Sequence, residues 1–222
     1  MQALIIGASR GLGYALAAEF LGRGWQVTAT ERTPSPLHEL AGLTVETVDI
    51  AAPDQVAALR ERLAGSTFDL LFVNAGTNYT TDPAATLADV STEDFTRVMV
   101  TNALSPMRAV ETLQDLVAPT GTIGVMSSGQ GSIADNTNGG FEVYRASKSA
   151  LNQLMRSYAA RHADDPRTLL LMAPGWVKTD LGGPGARLTI DESIPGVADT
   201  IEAWAGKGGL HYLDRAGQTV NW

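Results

Sequence analysis

The 222-residue sequence contains no cysteine. That absence removes disulfides, thiolate metal sites and thiol catalysis, and it fits a reducing compartment, so the cytoplasm is the expected location. Histidine is scarce: His38, His162 and His211 lie far apart with no ligand spacing such as HExxH, so no metal is expected and each is read as a surface or structural residue. Positive charge is also short. Sixteen Lys and Arg stand against 24 Asp and Glu, giving a formal net charge of −8 with no basic stripe, so nucleic acid is not expected as a partner. Nowhere do about 18 apolar residues run without interruption, which argues against a membrane partner. The opening Met1-Gln2-Ala3-Leu4-Ile5-Ile6-Gly7 reaches a glycine too early for a signal peptide, so a soluble chain is expected.

What is present is a chain 44% hydrophobic, able to bury one sizeable core; one domain over residues 1–222 is the simplest reading, and two small ones the alternative. Short apolar runs alternate with longer stretches of helical period. The runs predict strands at Ala3–Ile6, Gln26–Thr30, Leu43–Val48, Leu70–Asn74, Gly121–Ser127 and Thr168–Ala173, with a last one near Leu210–Leu213. Helices are predicted at Gly11–Arg23, Pro53–Ala64, Thr92–Val117, Tyr144–His162 and Asp191–Gly206. The alternation implies an α/β fold: a doubly wound, Rossmann-type parallel sheet of about seven strands with helices on both faces. In the Tyr144–His162 segment, Ala146, Ala150, Leu151, Leu154 and Tyr158 recur at three and four residues, a buried stripe whose opposite face is free for a homodimer. The cluster Gly182-Gly183-Pro184-Gly185 reads as a loop tip, and residues 176–195 as a substrate loop or lid.

Two motifs carry chemistry. The first strand runs into Gly7-Ala8-Ser9-Arg10-Gly11-Leu12-Gly13 and then a helix, where a doubly wound sheet presents backbone N–H groups to a phosphate. The spacing is GxxxGxG rather than GxGxxG, and a tight turn without a ligand is the alternative reading. The second motif is Tyr144-Arg145-Ala146-Ser147-Lys148 at a helix start, which puts Tyr144 and Lys148 on one face about a turn apart. A free tyrosine has a pKa near 10, so proton transfer at neutral pH needs a stabilised phenolate, which a nearby ammonium supplies.

Taken in chain order, the glycine loop, Asp49-Ile50, Asn74-Ala75-Gly76, Phe95 to Asn102, Ser127-Ser128, Tyr144 to Lys148 and Pro174-Gly175-Trp176-Val177-Lys178-Thr179 resemble the motifs of the short-chain dehydrogenase/reductase family, over nearly the whole chain. The resemblance implies an NAD(P)(H)-dependent oxidoreductase interconverting a carbonyl and an alcohol by hydride transfer. Gly7, Ser9, Arg10, Gly11, Leu12 and Gly13 would cradle the cofactor phosphates. Asp49 and Ile50 would meet the adenine, and Asn74, Ala75 and Gly76 the adenosine ribose. Pro174, Gly175, Val177 and Thr179 would hold the nicotinamide carboxamide, with Tyr144 and Lys148 also touching the cofactor. The catalytic set carried over is Asn102, Ser128, Tyr144 and Lys148: Ser128 polarises the carbonyl, Tyr144 is the general acid/base, Lys148 binds ribose and lowers the Tyr144 pKa, and Asn102 supports a water. Ile6 departs from the family's usual threonine and loses one side-chain hydrogen bond.

At the end of the second strand Glu31 would bind a ribose 2′-hydroxyl, whereas Arg32 and Arg10 would pair with a 2′-phosphate, which tips the expectation slightly toward NADP(H) over NAD(H). The stretch 129–143 is longer than the common family spacing. With the ending Gly217-Gln218-Thr219-Val220-Asn221-Trp222 it resembles the sniffer-like and C-factor-like carbonyl reductase branch. Gln130, Ile133, Asn78, Tyr79, Trp176, Leu181, Leu188 and Ile190 would line the substrate site, a mostly apolar set that implies an apolar small-molecule ketone or aldehyde. Two other classes stay open: a dinucleotide-binding signalling protein with little turnover, and an epimerase or dehydratase, for which 222 residues leave little room.

Overall fold

The computed structural model describes residues 1–80, 82 and 84–222. In β1 (Gln2–Ile6), Ala3, Leu4, Ile5 and Ile6 are all fully removed from solvent, as a parallel strand covered on both faces requires. Alternate side chains enter opposite layers. Ala3 and Ile5 join Leu16 and Phe20 of α1 (Gly11–Gly22) and Val197 and Ile201 of α6 (Ile190–Trp204). Leu4 and Ile6 join Val56 and Leu59 of α2 (Pro53–Arg62), Val110 of α4 (Ser105–Leu113), and Leu151 and Met155 of α5 (Glu142–Arg161). The remaining strands are β2 (Gln26–Glu31), β3 (Thr44–Thr47), β4 (Phe68–Val73), β5 (Val117–Met126), β6 (Thr168–Ala173) and β7 (Gly209–Asp214).

The seven strands form one sheet in the order β3-β2-β1-β4-β5-β6-β7, and every neighbouring pair is parallel. Pairings such as Ile6 with Val73, Val73 with Val125 and Met126 with Met172 level the carboxyl ends of the central strands. The loops that follow them therefore meet along one edge. Between β1 and β4 the order reverses, and a doubly wound sheet opens its ligand crevice at such a point.

The segment 92–117, expected as one helix, is interrupted. Ser91 caps α3 (Thr92–Met99) by accepting from Asp94 N–H at 3.0 Å, and then a π-turn, Val100–Leu104, precedes α4. Pro106 accounts for the break: it lacks the N–H that an α-helix would deliver to the carbonyl of Asn102, four residues back. A 3₁₀ turn, Gln114–Leu116, follows, and Val117 already belongs to β5. A capping box between Thr189 and Glu192 starts α6 at Ile190, so the expected loop 176–195 ends at Thr189 and its last residues are helical. Among the described residues no helix is long and apolar enough to cross a membrane.

Candidate active site

The glycine loop leaves β1 with Gly7 at φ 82°, and a Cβ there would lie 2.7 Å from the Cβ of Ala75. Gly13 is tighter still: its Cβ would sit 2.3 Å from the Gly7 carbonyl oxygen and 2.6 Å from Nδ2 of Asn74. That crossing is fastened by Asn74, whose Nδ2 donates to the Gly7 carbonyl at 2.9 Å, and by Thr30 of β2, whose hydroxyl accepts from Gly7 N–H at 2.9 Å. Thr30 thus gives the loop a side-chain bond although Ile6 cannot. Arg10, the N-cap of α1, makes no side-chain capping bond, so among the described residues the first N–H groups of the helix stay open to an acceptor. Gly11 faces Thr179 across the crevice, a Cβ on Gly11 falling 3.7 Å from Thr179 Cγ2. There Arg10 pairs with Asp180. Thr179 itself accepts from Gly182 N–H at 3.0 Å, and Trp176 and Lys178 exchange backbone bonds with Leu188, closing the base of the 176–189 loop.

Glu31 is only 3% exposed. Its carboxylate accepts from the Ser35 hydroxyl at 2.5 Å and lies 2.8 Å from His38 Nε2. Burial pushes this carboxyl up, but the bonds to Ser35 and His38 outweigh it and hold the group below the usual carboxylate value. Arg32, next along, is exposed and has no carboxylate partner among the described residues. Asp49 shapes the entry to α2, its Oδ1 accepting from Ala51 N–H at 2.9 Å, with Ile50 buried beside it.

At the other end of the crevice, α5 begins two residues before Tyr144, after Phe141 in the left-handed region at φ 53°. Lys148, one turn on, is 2% exposed; its Nζ donates to the Met126 carbonyl at 2.8 Å and lies 5.8 Å from the centroid of the Tyr144 ring. Burial brings Lys148 down to about 8. Burial likewise pushes Tyr144 up to about 12, the Ser128 hydroxyl pulling the other way and Tyr212 adding to the rise. Desolvation of the phenolate therefore sets the direction at Tyr144. Of the paired serines, Ser127 turns inward and donates to Asn152 Oδ1 at 2.6 Å, whereas Ser128 is half-buried beside Tyr144 and accepts from Gln130 N–H at 3.1 Å.

Asn102 lies in the π-turn, wholly buried. Its Oδ1 accepts from Thr77 N–H at 2.8 Å, and Nδ2 donates to the Thr77 carbonyl at 2.8 Å and to Ser147 Oγ at 2.9 Å. Both amide hydrogens are thus committed to protein, leaving one lone pair of Oδ1 for a water. A Cβ on Gly76 would lie 3.6 Å from both Asn102 Oδ1 and Lys148 Nζ, so the loop after β4 runs between them. Pro174 is buried, its carbonyl accepting from Ser193 Oγ at 2.7 Å, and the positive φ of Gly175 turns the chain toward Val177.

Several residues of this arrangement escaped the sequence reading. Thr30, Ser35, His38, Thr77 and Asp180 carry no motif. Ser147 and Asn152 had a signal, since they sit beside and four residues after Lys148 on the same helix. The site also fits a nicotinamide dinucleotide: glycines cross where any Cβ would collide, an uncapped helix start faces them, and the buried Lys148 ammonium has no carboxylate partner among the described residues.

Comparison with known proteins agrees. Residues 1–186 match the short chain dehydrogenase family. A short-chain dehydrogenase/reductase from Burkholderia multivorans, solved with bound NADP, is 58% identical and superposes with a TM-score of 0.96 over 100% of this chain and 99% of that one. A carbonyl reductase from Pseudomonas aeruginosa PAO1, solved in complex with NADP, is 37% identical with a TM-score of 0.90 over the same shares. The C-signal of Myxococcus xanthus is 33% identical over 69% of this chain and 92% of its own length.

Proposed function

This chain belongs to the short-chain dehydrogenase/reductase family and is an NAD(P)-dependent oxidoreductase, and within that class we propose that it reduces an apolar ketone or aldehyde with NADPH. The observation that carries this reading is the juxtaposition at the end of β5: Ser128 lies half-buried beside Tyr144, and the buried Lys148 ammonium sits one helical turn on, 5.8 Å from the Tyr144 ring centroid, where a protonated tyrosine can act as general acid.

Ser128 and Tyr144 converge on one oxygen. The Ser128 hydroxyl donates to the substrate carbonyl, and the Tyr144 hydroxyl protonates that oxygen as negative charge develops on it. When bound, the nicotinamide cofactor supplies the hydride. Lys148 holds the ribose next to the ring and keeps positive charge near Tyr144 while the proton leaves. Asn102 keeps the first turn of α5 in register with the loop after β4 and offers its remaining lone pair to a water that resupplies the proton. Ile133, Trp176 and Leu181 offer exposed apolar side chains to the substrate.

The preference for NADPH rests on Glu31 and Arg32. With its carboxylate bound to Ser35 and His38, Glu31 is withdrawn from the ribose, while Arg32 is free to meet a 2′-phosphate. Of the stripe expected to be buried on α5 only Leu151 and Tyr158 are: the helix turns Val143, Ser147, Leu151, Met155 and Tyr158 inward and leaves Ala146 and Leu154 exposed. An apolar groove of about 330 Å³ between Met99, Ala103, Leu104, Ala150 and Leu154 therefore lies on its outer side and supports homodimerisation, which sedimentation would test.

Fluorescence titration with NADPH and NADH, followed by turnover of the tighter cofactor against ketones, aldehydes and quinones, tests this function. Turnover that disappears in Tyr144→Phe is the expected outcome. The likeness to the C-signal favours a second reading, a dinucleotide-binding signalling protein, and tight binding with no turnover by any of these carbonyls would select it.

A further inference from the structure

Ser128 stands where three distant parts of the chain meet. Its backbone carbonyl accepts a hydrogen bond from the Tyr212 hydroxyl, 84 residues further on in β7, and Tyr212 is 1% exposed. Immediately behind, Ser127 donates to Asn152, and Asn152 Nδ2 and Ser149 Oγ donate to the Gly131 carbonyl at 3.3 and 2.9 Å. Gly131 has no room to move toward the helix, since a Cβ there would lie 2.8 Å from Asn152 Nδ2. Burial pushes the Tyr212 hydroxyl above its ordinary value, so it remains a donor at working pH.

The outer side of this junction is closed by residues 221 and 222. The Trp222 ring lies 5.5 Å from the Tyr212 ring and carries the Arg156 guanidinium at 3.9 Å on its face. Its backbone carbonyl accepts from Ala134 N–H at 3.0 Å, and Asn221 Nδ2 donates to Asp135 Oδ1 at 2.8 Å. The long stretch after Ser128 is thus clasped from outside by Asn221 and Trp222, while Tyr212 grips Ser128 from within.

We propose that Tyr212 and Trp222 are positioning residues for Ser128: the Tyr212 hydroxyl fixes the Ser128 carbonyl, and Trp222 holds Tyr212 and residues 129–135 against it. The aim of the Ser128 hydroxyl is then set from β7. Its own segment holds Ser128 only by a local turn, in which the Ser128 carbonyl accepts from Gly131 N–H at 2.8 Å and the hydroxyl from Gln130 N–H at 3.1 Å, and Tyr212 is what ties that turn to the sheet. A misplacement of about 1 Å in a reacting group can cost on the order of 100-fold in rate. The proposal rests on the reading of Ser128 as the donor to the substrate carbonyl.

Tyr212→Phe removes only the hydroxyl. It is expected to lower kcat for NADPH-dependent reduction of an aromatic aldehyde or ortho-quinone about tenfold or more while leaving the NADPH dissociation constant within about twofold. In a double-mutant cycle, Tyr212→Phe should add less than about twofold to the loss caused by Ser128→Ala; losses that multiply would overturn the proposal and leave the function intact. Full turnover by Ser128→Ala would remove both. A second readout needs no substrate: amide hydrogen exchange at residues 128–135 should accelerate about tenfold in Tyr212→Phe and in Trp222→Ala, with residues 7–13 unchanged. Exchange at wild-type rates in both variants would overturn the proposal. Should Tyr212→Phe fail to fold, the exposed Asn221→Ala must show the same pattern at smaller amplitude, and its absence would count equally against the proposal.

Discussion

Asn102 and Ser147 are hydrogen-bonded at 2.9 Å across 45 positions of sequence, both of them fully buried. Ser147 passes the contact on by donating to the Tyr144 carbonyl at 2.7 Å, so the π-turn is joined to the helical turn that presents Tyr144.

Removal of Asn102 should therefore be felt twice. Asn102→Ala leaves the Thr77 backbone groups and Ser147 without their buried partner, a loss of about 1–3 kcal/mol of stability by the usual cost of orphaned polar groups. Turnover should fall about tenfold or more as the first turn of α5 loosens. Thermal unfolding and kcat, measured on the same preparation, check both, and wild-type values of kcat would show that Tyr144 is held in place without Asn102.

Cofactor choice should be insensitive to the one acidic residue at the end of β2. Glu31→Ala is expected to change the ratio of NADPH to NADH affinity by less than about threefold, because Ser35 and His38 already occupy the carboxylate. Arg32→Ala should weaken NADPH about tenfold and leave NADH alone, as loss of a charged phosphate partner does. Fluorescence titration of each variant with both cofactors decides; a large gain in NADPH affinity in Glu31→Ala would mean that the carboxylate faces the ribose.

The buried ammonium makes stability depend on pH in a defined direction. Lys148 titrates near 8 in the folded protein against an ordinary 10.5, so between those values the unfolded chain binds more protons and stability rises with pH. Below pH 8 the full cost of the buried charge is present, on the order of 3 kcal/mol. Lys148→Met should accordingly have a higher Tm than wild type at pH 7, and the gap should shrink toward pH 10; a gap that stays constant would mean that Lys148 is not desolvated. Tyr144, raised to about 12, acts in the opposite sense, and its contribution is lost only between pH 10 and 12.

The same two groups set the activity profile. For carbonyl reduction, kcat/KM for NADPH should fall above about pH 8 as Lys148 loses its charge, well before Tyr144 ionises. Lys148→Arg, which does not titrate there, should carry any residual activity to higher pH. A single fall near pH 10 in the wild type would assign the limb to Tyr144 instead.

Much of this was readable from the chain. Apolar runs and helical periods located all seven strands and the helices flanking them, because strands covered on both faces leave an unmistakable pattern in Leu4 to Ile6 or Leu169 to Met172. The π-turn was not foreseen. Periodicity continues through it, and only Pro106, with no N–H for Asn102, marked the place where the helix changes pitch. The serine, tyrosine and lysine were singled out by their company in the sequence, but their environment was not legible there: the rise at Tyr144 and the fall at Lys148 both come from burial, which depends on how much solvent the assembled loops exclude. Glu31 shows the same limit, since its partners Ser35 and His38 lie in a turn with no recognisable spacing.

Arg10 and Asp180 join the two sides of the crevice with side chains that remain 75% and 78% exposed. Attraction between charges so well hydrated is weak and readily screened by dissolved ions. A cofactor held beneath this pair is for that reason expected to answer to its surroundings: raising the salt concentration should shorten its dwell time, while the buried parts of the site are left as they were.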